Sequence, residues 1–351
     1  MAGYNSTGAY TAGICEQILS GLENYAGNGN LPSAKRSYLG YLEFLQSDLN
    51  KGNTEVIPVI TDSTKYHQVR VKYSQRTIDA EVTEAEDGNC TPERYPDYLE
   101  TTFDVDKVVS FNFGLKKREV VKICNEGNTS VITNKMNESF DAIARKINTR
   151  LLTIQSLNFG ANVGNSSATS AKSVNVLVAA TGAPLATGIQ ALNQDYYEKN
   201  QYFGTPAIIG AGNIMKYWAT VKTGCCNQDG VDMNAMAAEL GWAPFLDTQI
   251  ESVLGSNQFM VLAPGMNQLV TYNRYVGENE GMFGTSMDTT VVDPRTGLRY
   301  DMKIDYDGCN EAYYVRLTLN YGLWIQPVDT FNAADPLYRT NGSCRYTAAT
   351  T

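Results

Sequence analysis

The sequence predicts an α+β fold from three observations. Between residues 54 and 115 apolar residues recur with a period of two; between 137 and 160 they recur at spacings of three and four; beyond Thr289 alternating runs are separated by turn signatures. The 351 residues leave room for one large domain or two to three modest ones, with enough chain for a sizeable core.

Residues 1–50 read as two helical pieces. Ile14, Ile18, Leu22 and Tyr25 recur at helix period, GNGNLP breaks the pattern at 27–32, and Tyr38, Leu42, Leu45 and Leu49 resume it after a Ser33 cap. An arm that packs on a neighbour and a compact subdomain both fit this pattern. Residues 56–60 form an apolar strand. Residues 67–73 and 103–113 alternate and read as the two arms of a hairpin. Arms of about fourteen residues would extend roughly 46 Å. A compact chain of this length has a radius of gyration of roughly 20 Å, so the hairpin is expected to protrude. Its charges are segregated: Lys65, Arg70, Lys72 and Arg76 load the first arm, whereas ten carboxylates between residues 79 and 106, Glu84, Glu86 and Asp87 among them, face Arg94 alone. A solvated acidic loop and a dipolar arm docking on a basic surface of another subunit are both open.

The strongest helix is predicted over 137–160. Phe140, Ile143, Ile147, Leu151, Ile154 and Leu157 form its apolar stripe, and Arg145, Lys146 and Arg150 lie on other faces. About 24 residues make it some 36 Å long. A Gly/Ser/Asn/Ala loop, a strand at 174–180 and a helix at 185–200 follow. Residues 205–285 have an α/β texture, with strands at 207–209, 258–264 and 268–272 and helices at 213–220 and 232–240. Asp293-Pro294-Arg295-Thr296-Gly297 and Asp307-Gly308 then separate strands at 298–306, 312–320 and 323–327, and the tail after Phe331 is polar.

Composition narrows the function. A net charge of −9 argues against a general nucleic-acid binder, which needs a basic face to displace counterions from phosphates. Charged residues make up 19% of the chain against about 25% in ordinary domains, so something other than water is expected to cover part of the surface. Twenty-two Tyr against 11 Phe fits that expectation, because Tyr is enriched where protein meets protein; Tyr-rich β-structure gives the same count. Neither a signal segment nor a membrane span is expected. Cys15, Cys90, Cys124, Cys225, Cys226, Cys309 and Cys344 form no CxxC, and His67 is the sole histidine, so no zinc or redox motif is supported and reduced thiols are expected.

Enzyme-like motifs are weak. Ala207-Ile208-Ile209-Gly210-Ala211-Gly212 leads a strand into a Gly-x-Gly turn, but Met215 replaces the third glycine of a dinucleotide site, and a tight turn is the better account. Asp305-x-Asp307-Gly308-x-Asn310-Glu311 has the donors of a calcium loop without its twelve-residue frame. No carboxylate pair is marked as catalytic, and a triad would depend on His67 alone. The expectation is a non-enzyme without cofactor or metal. Projections of this kind make sense when a neighbour supplies the missing contacts, which points to ordered self-assembly.

Val261-Leu262-Ala263-Pro264-Gly265-Met266-Asn267-Gln268-Leu269-Val270-Thr271-Tyr272-Asn273 is similar to a strand-turn-strand of phage shell proteins, and Val292-Asp293-Pro294-Arg295-Thr296-Gly297-Leu298-Arg299-Tyr300-Asp301 resembles the DPxTGxxYD hairpin of some of them. With the order of elements, the chain over about residues 50–330 resembles the major capsid protein of tailed bacteriophages, the HK97-like capsid fold. The resemblance implies an N-terminal arm at 1–54, an extended hairpin (E-loop) with flanking strands at 55–115, and a peripheral domain at 116–180 around a spine helix at 137–160. An axial α/β domain at 181–285, a β-meander at 286–330 that completes the peripheral domain, and a C-terminal tail at 331–351 follow. It implies homo-oligomeric pentamers and hexamers in an icosahedral shell enclosing double-stranded DNA without sequence-specific binding, assembled in the host cytoplasm and resident in the virion. Scaffold, portal or decoration proteins are candidate partners, and no membrane is involved. Arg70, Lys72, Glu84, Glu86, Asp87, Arg145, Lys146 and Arg150 are the expected intersubunit contacts, with the acidic hairpin segment meeting the helix cations or Lys116-Lys117-Arg118 of a neighbour. An encapsulin-like compartment is the alternative on the same fold; a cytosolic α/β enzyme with a nucleotide site at Gly210, and an extracellular adhesin, are the readings outside it.

Overall fold

Alternating sequence becomes paired strand throughout the computed structural model, which describes residues 38–50, 55–59, 67–74, 98–120, 130–160, 172–177, 186–200, 205–212, 242–275, 281–283, 286–293, 295–327 and 341–350. The expected helices at 14–25, 213–220 and 232–240 lie outside these residues. The described chain forms two units, one from residues 105–147 and 270–322, the other from 38–104, 148–269 and 323–351. Each unit is assembled from stretches far apart along the chain.

In the first unit, β4 (Lys107–Lys116), β10 (Gly281–Phe283), β11 (Ser286–Val292), β12 (Arg299–Asp307) and β13 (Ala312–Ile325) run in the order β10-β11-β12-β13-β4, all antiparallel, and β9 (Asn267–Tyr272) also pairs β13. The register puts Tyr300, Met302, Ile304, Tyr313, Val315, Leu317 and Leu319 on a buried face. Against it lies the long helix α2 (Ser130–Ser156), whose Phe140 stacks on Tyr300 with ring centroids 5.1 Å apart. Met136, Phe140, Ile143, Ala144 and Ile147 are buried, as the helical period predicts. The helix begins earlier than its expected start at 137 and ends before 160.

Two strand readings change. The runs at 312–320 and 323–327 are one fourteen-residue strand, β13, because β4 pairs it continuously from Ala312 to Tyr321 and no turn interrupts the ladder. The second hairpin arm also divides. Its first part, β3 (Tyr98–Val105), lies beside β2 (His67–Ser74) and β1 (Glu55–Val59) in a three-stranded sheet, whereas the chain beyond Asp106 leaves to become β4. Among the described residues the paired hairpin arms span eight residues each, about 26 Å.

The second unit contains a mixed sheet in the order β5-β14-β8-β6-β7, from β5 (Lys172–Leu177), β6 (Ala207–Gly210), β7 (Ala243–Leu246), β8 (Gln258–Leu262) and β14 (Ser343–Thr350). β14 comes from the stretch read as a polar tail, yet it pairs parallel to β5 and antiparallel to β8. Its inward residues are Cys344, Tyr346 and Ala348, too small and mixed to register as an apolar alternation. Tyr346 stacks on Phe259 at 5.6 Å, and α3 (Ala186–Asn200) supplies Tyr196, whose hydroxyl donates to the Gly342 carbonyl at 3.0 Å. Tyr41, Tyr196, Tyr300, Tyr313, Tyr321 and Tyr346 are all essentially inaccessible, so a large part of the tyrosine excess is core. Burial pushes the phenols of Tyr41, Tyr300 and Tyr346 upward, so they stay neutral.

The short helix α1 (Gly40–Gln46) is buried along nearly its whole length in this unit. Gly40 has a steric reason to be glycine, since a Cβ there would stand 2.7 Å from both the carbonyl carbon and oxygen of Leu246. Gly212, by contrast, has no atom within 4 Å of a would-be Cβ. Gly40→Ala is expected to cost about 1–3 kcal/mol of stability, as overpacking against backbone does. Gly212→Ala should lose less than about 1 kcal/mol. Urea unfolding of the two variants beside the parent chain measures both.

Candidate interaction surfaces

Helix α1 has no capping side chain of its own: Leu39 is its N-cap residue and no side-chain oxygen of that turn satisfies the first amides. Other segments of the same unit do so instead. Asp247 Oδ2 accepts the Tyr41 N–H at 2.9 Å, and Asn148 Oδ1, on α2, accepts the Leu42 N–H at 3.1 Å. Asn148 Nδ2 also donates to Asp247 Oδ2 at 2.9 Å and to Gln249 Oε1 at 3.0 Å. Asp247 Oδ1 accepts the Gln249 N–H at 2.8 Å, which sets the start of α4 (Ile250–Val253). About two turns along α2, Gln155 Oε1 accepts the Tyr41 hydroxyl at 3.0 Å and Asn267 Nδ2 at 3.0 Å. Asn50 Nδ2 closes the set by donating to the Asn267 carbonyl at 2.7 Å, while its Oδ1 accepts the Gly265 N–H at 3.2 Å.

Asp247 is fully buried, and no cation pairs with it among the described residues. Burial raises its carboxyl above the ordinary value, opposed by the N–H donors of Tyr41, Asn148, Gln249 and Ile250. Sequence reading missed this clasp. The visible signal was a pair of amides, Asn148 and Gln155, four residues after the buried Ala144 and Leu151 and hence on the buried face.

The charged residues expected at subunit contacts fall in separate places. Arg70 and Lys72, on β2, both reach Glu100 on β3, at 3.6 and 3.1 Å, and all three are substantially exposed. Glu84, Glu86 and Asp87 lie outside the described residues. Arg145 pairs with Asp141 one turn earlier on α2 at 2.8 Å, and Arg295 reaches the same carboxylate at 3.7 Å. Lys146 and Arg150 are exposed.

The enzyme-like motifs resolve into turns. Asp307 Oδ1 accepts the N–H groups of Cys309 and Asn310 at 2.9 and 3.4 Å, and Oδ2 accepts Asn310 Nδ2 at 2.7 Å. These bonds, that of the Asn310 side chain foremost, hold the carboxyl below its usual value and close a four-residue loop between β12 and β13, with Glu311 in the left-handed region at φ 46°. Asp293 closes the other turn by accepting the Arg295 N–H at 2.9 Å and the Thr296 hydroxyl at 2.5 Å, while Gly297 adopts φ 72°. Gly210 ends a fully buried strand that is parallel to β7 but antiparallel to β8, unlike the parallel βαβ frame of a dinucleotide site. Among the described residues no three potential metal ligands cluster, and no helix is long and apolar enough to cross a membrane.

The outward face of the six-stranded sheet is polar. Its cross-strand rows run Ser110, Thr318, Asp301 and Thr290, then Asn112, Arg316, Lys303 and Asp288. This architecture aligns with a chain of the cyanophage A-1(L) capsid asymmetric unit over 90% of the present chain and 94% of that one, with a TM-score of 0.52 and 12% identity. The chain adopts the HK97-like capsid fold. Weaker likenesses are to the capsid of Myoviridae phage XM1 (TM-score 0.43, 11% identity, 89% and 92% of the two chains) and of an empty GTA particle (0.44, 9%, 90% and 91%); the assignment rests on the first. No protein-family model and no curated protein matches the sequence. Shape thus carries a likeness that sequence identity does not.

Asp247→Asn would turn an amide N–H toward backbone N–H donors, and is expected to cost about 1–3 kcal/mol. Because the folded-state carboxyl sits above the ordinary value, the native state binds the proton more tightly than the unfolded chain. The carboxyl's contribution is therefore fully present below about pH 3.9 and falls as pH rises through the folded value. The stability gap between the parent and Asp247→Asn should narrow from pH 4 toward pH 7 (about three pH units) in urea titrations. Glu100→Ala, which removes only exposed pairs, should change stability by less than about 1 kcal/mol in the same assay.

Proposed function

We propose that this chain is the structural subunit of a phage-type shell, assembling through pentamers and hexamers into an icosahedral container for double-stranded DNA, and performing no catalysis. The observation that carries this reading is the alignment of nine-tenths of the chain with a capsid chain of the same length class. Within that frame the β2–β3 hairpin serves as the E-loop, α2 as the spine helix, the unit of residues 105–147 and 270–322 as the peripheral domain, and the mixed-sheet unit as the axial domain. Its partners are further copies of itself, with scaffold, portal or decoration proteins as additional ones, and its place is the virion after assembly in the host cytoplasm. A net charge of −9 suits a wall that must not grip the packaged genome.

Lys146 and Arg150 are exposed on α2, and with Arg145 they form the helix's contribution to contacts between neighbours. Individually such pairs contribute little, but repetition around a closed shell fixes register.

Negative-stain electron microscopy with light scattering tests the assignment. Closed shells, tubes or rings of five and six are the expected products, and a monodisperse monomer or dimer across salt, pH and added scaffold would overturn it. In the double variant Arg145→Glu, Arg150→Glu, particle yield is expected to fall while the thermal melt of the unassembled chain is retained. Particles in normal yield would remove the helix cations from the interface.

A further inference from the structure

The strand that completes the mixed sheet is entered through Asn341-Gly342, and the fold makes a separate demand on each of these residues. Gly342 sits at φ 73°, in the left-handed region that glycine enters without steric cost, and its carbonyl accepts the Ala263 N–H at 2.9 Å and the Tyr196 hydroxyl at 3.0 Å. Asn341 is 1% exposed, and its carboxamide is engaged at both ends. Nδ2 donates to the Asn158 carbonyl at 2.9 Å and to the Gln326 carbonyl at 3.0 Å, while Oδ1 accepts the Ser343 N–H at 3.2 Å and the Ser343 hydroxyl at 2.5 Å. Only a carboxamide of that length offers two donors beside an acceptor.

Together the two demands write an Asn-Gly dipeptide, which is chemically the weak one. With no side chain on the following residue, the Gly342 nitrogen has open access to Asn341 Cγ whenever the segment is undocked. The bond from the Gly342 nitrogen to Cγ forms, the Cγ–Nδ2 bond breaks, the proton of the attacking nitrogen departs with Nδ2 as ammonia, and a succinimide remains. Water then adds to one imide carbonyl and breaks its C–N bond, giving aspartate or isoaspartate. The sequence of steps consumes only water and involves no change of oxidation state. In the folded chain the first of them has to break the four hydrogen bonds of the carboxamide in a place closed to solvent.

We propose that Asn341 is a deamidation site that docking of residues 341–350 closes, so that the reaction marks chains in which this segment has not docked. The product does not fit the folded site. Aspartate at this position has no N–H for the Asn158 and Gln326 carbonyls and turns a carboxylate toward them. Isoaspartate lengthens the main chain by one carbon immediately before β14, whose pairing with β8 starts at Ser343 opposite Leu262. A chain that docks first is protected, and a chain that reacts first is shut out of the finished sheet. The inference rests on this segment alone and stands apart from the shell reading.

Incubating the full-length chain in mildly alkaline buffer, folded and in urea, tests it. Trypsin releases residues 340–345 with Asn341 and residues 1–35 with Asn28-Gly29, the other such dipeptide in the sequence, so mass spectrometry reads both sites in one sample. In urea the two should convert within about threefold of each other, and in the folded chain Asn341 should convert at least about thirtyfold more slowly than in urea, because the reaction then waits on local opening. Tyr196→Phe removes one bond to the Gly342 carbonyl; it should speed conversion of Asn341 in the folded chain about three- to tenfold and leave Asn28 unchanged. Asn341→Asp stands in for the product and should be recovered unfolded or with a lower urea midpoint than the parent. The proposal is overturned by equal rates at Asn341 in the folded and unfolded chain, or by an Asn341 that stays intact in urea while Asn28 converts. A Tyr196→Phe chain with the parent's rate, or an Asn341→Asp chain with the parent's midpoint, overturns it as well.

Discussion

A buried carboxylate organises the mixed-sheet unit. Asp247 sits at the end of β7 with no cation paired to it among the described residues, and its two oxygens gather the first amides of α1, the amide of Asn148 on α2 and the start of α4. An ion in that position is tolerated only when its lone pairs are filled, and filling them requires three segments to arrive together. α1 has no cap of its own, so it depends on this arrangement for its own start. The requirement is directional, which apolar packing is not. It fixes where α1 lies, and Gly40 against the Leu246 backbone allows the approach.

The six-stranded sheet divides its labour by face. One face is stacked aromatics and aliphatics against α2; the other is cross-strand rows of hydroxyls, amides and charges. The apolar face supplies stability, since burial is worth roughly 25 cal/mol per Å² whereas exposed ion pairs are worth a few tenths of a kcal/mol. The polar face is left to carry the cross-strand rows of charge. Asp301 joins the two roles, because a buried anion holds the loop that displays Arg274 outward.

Much of the fold was legible because it is built from strong periodicities. The stripe of Phe140, Ile143, Ile147 and Leu151, and the alternation of Tyr300, Met302 and Ile304, are patterns that bury as they read. The Asp293 and Asp307 turns were legible for the same local reason, since each is closed by its own carboxylate. What failed depends on partners distant in sequence. β14 is made of small and polar residues whose strand character comes from lying between β5 and β8. The break at Asp106 is invisible to alternation, since Lys107 onward still alternates but against β13 instead of β2. The clasp of Asn50, Asn148, Asn267 and Asp247 joins residues about 100 to 220 apart, and no local pattern could unite them. The polar rows of the sheet face were hidden likewise, their members coming from strands that only the register brings together.

The place of β14 bears on how the protein is made. A strand formed by residues 343–350 lies between β5 and β8, so the mixed sheet stays split into a lone strand and a three-stranded remnant until those residues have left the ribosome. Each unit also draws on stretches far apart in the chain, so neither can mature during translation of its first segment. The mixed sheet is therefore unfinished until residues 343–350 have been made. Late closure of this sheet separates chains in which residues 343–350 are still to be made from those whose mixed-sheet unit is finished.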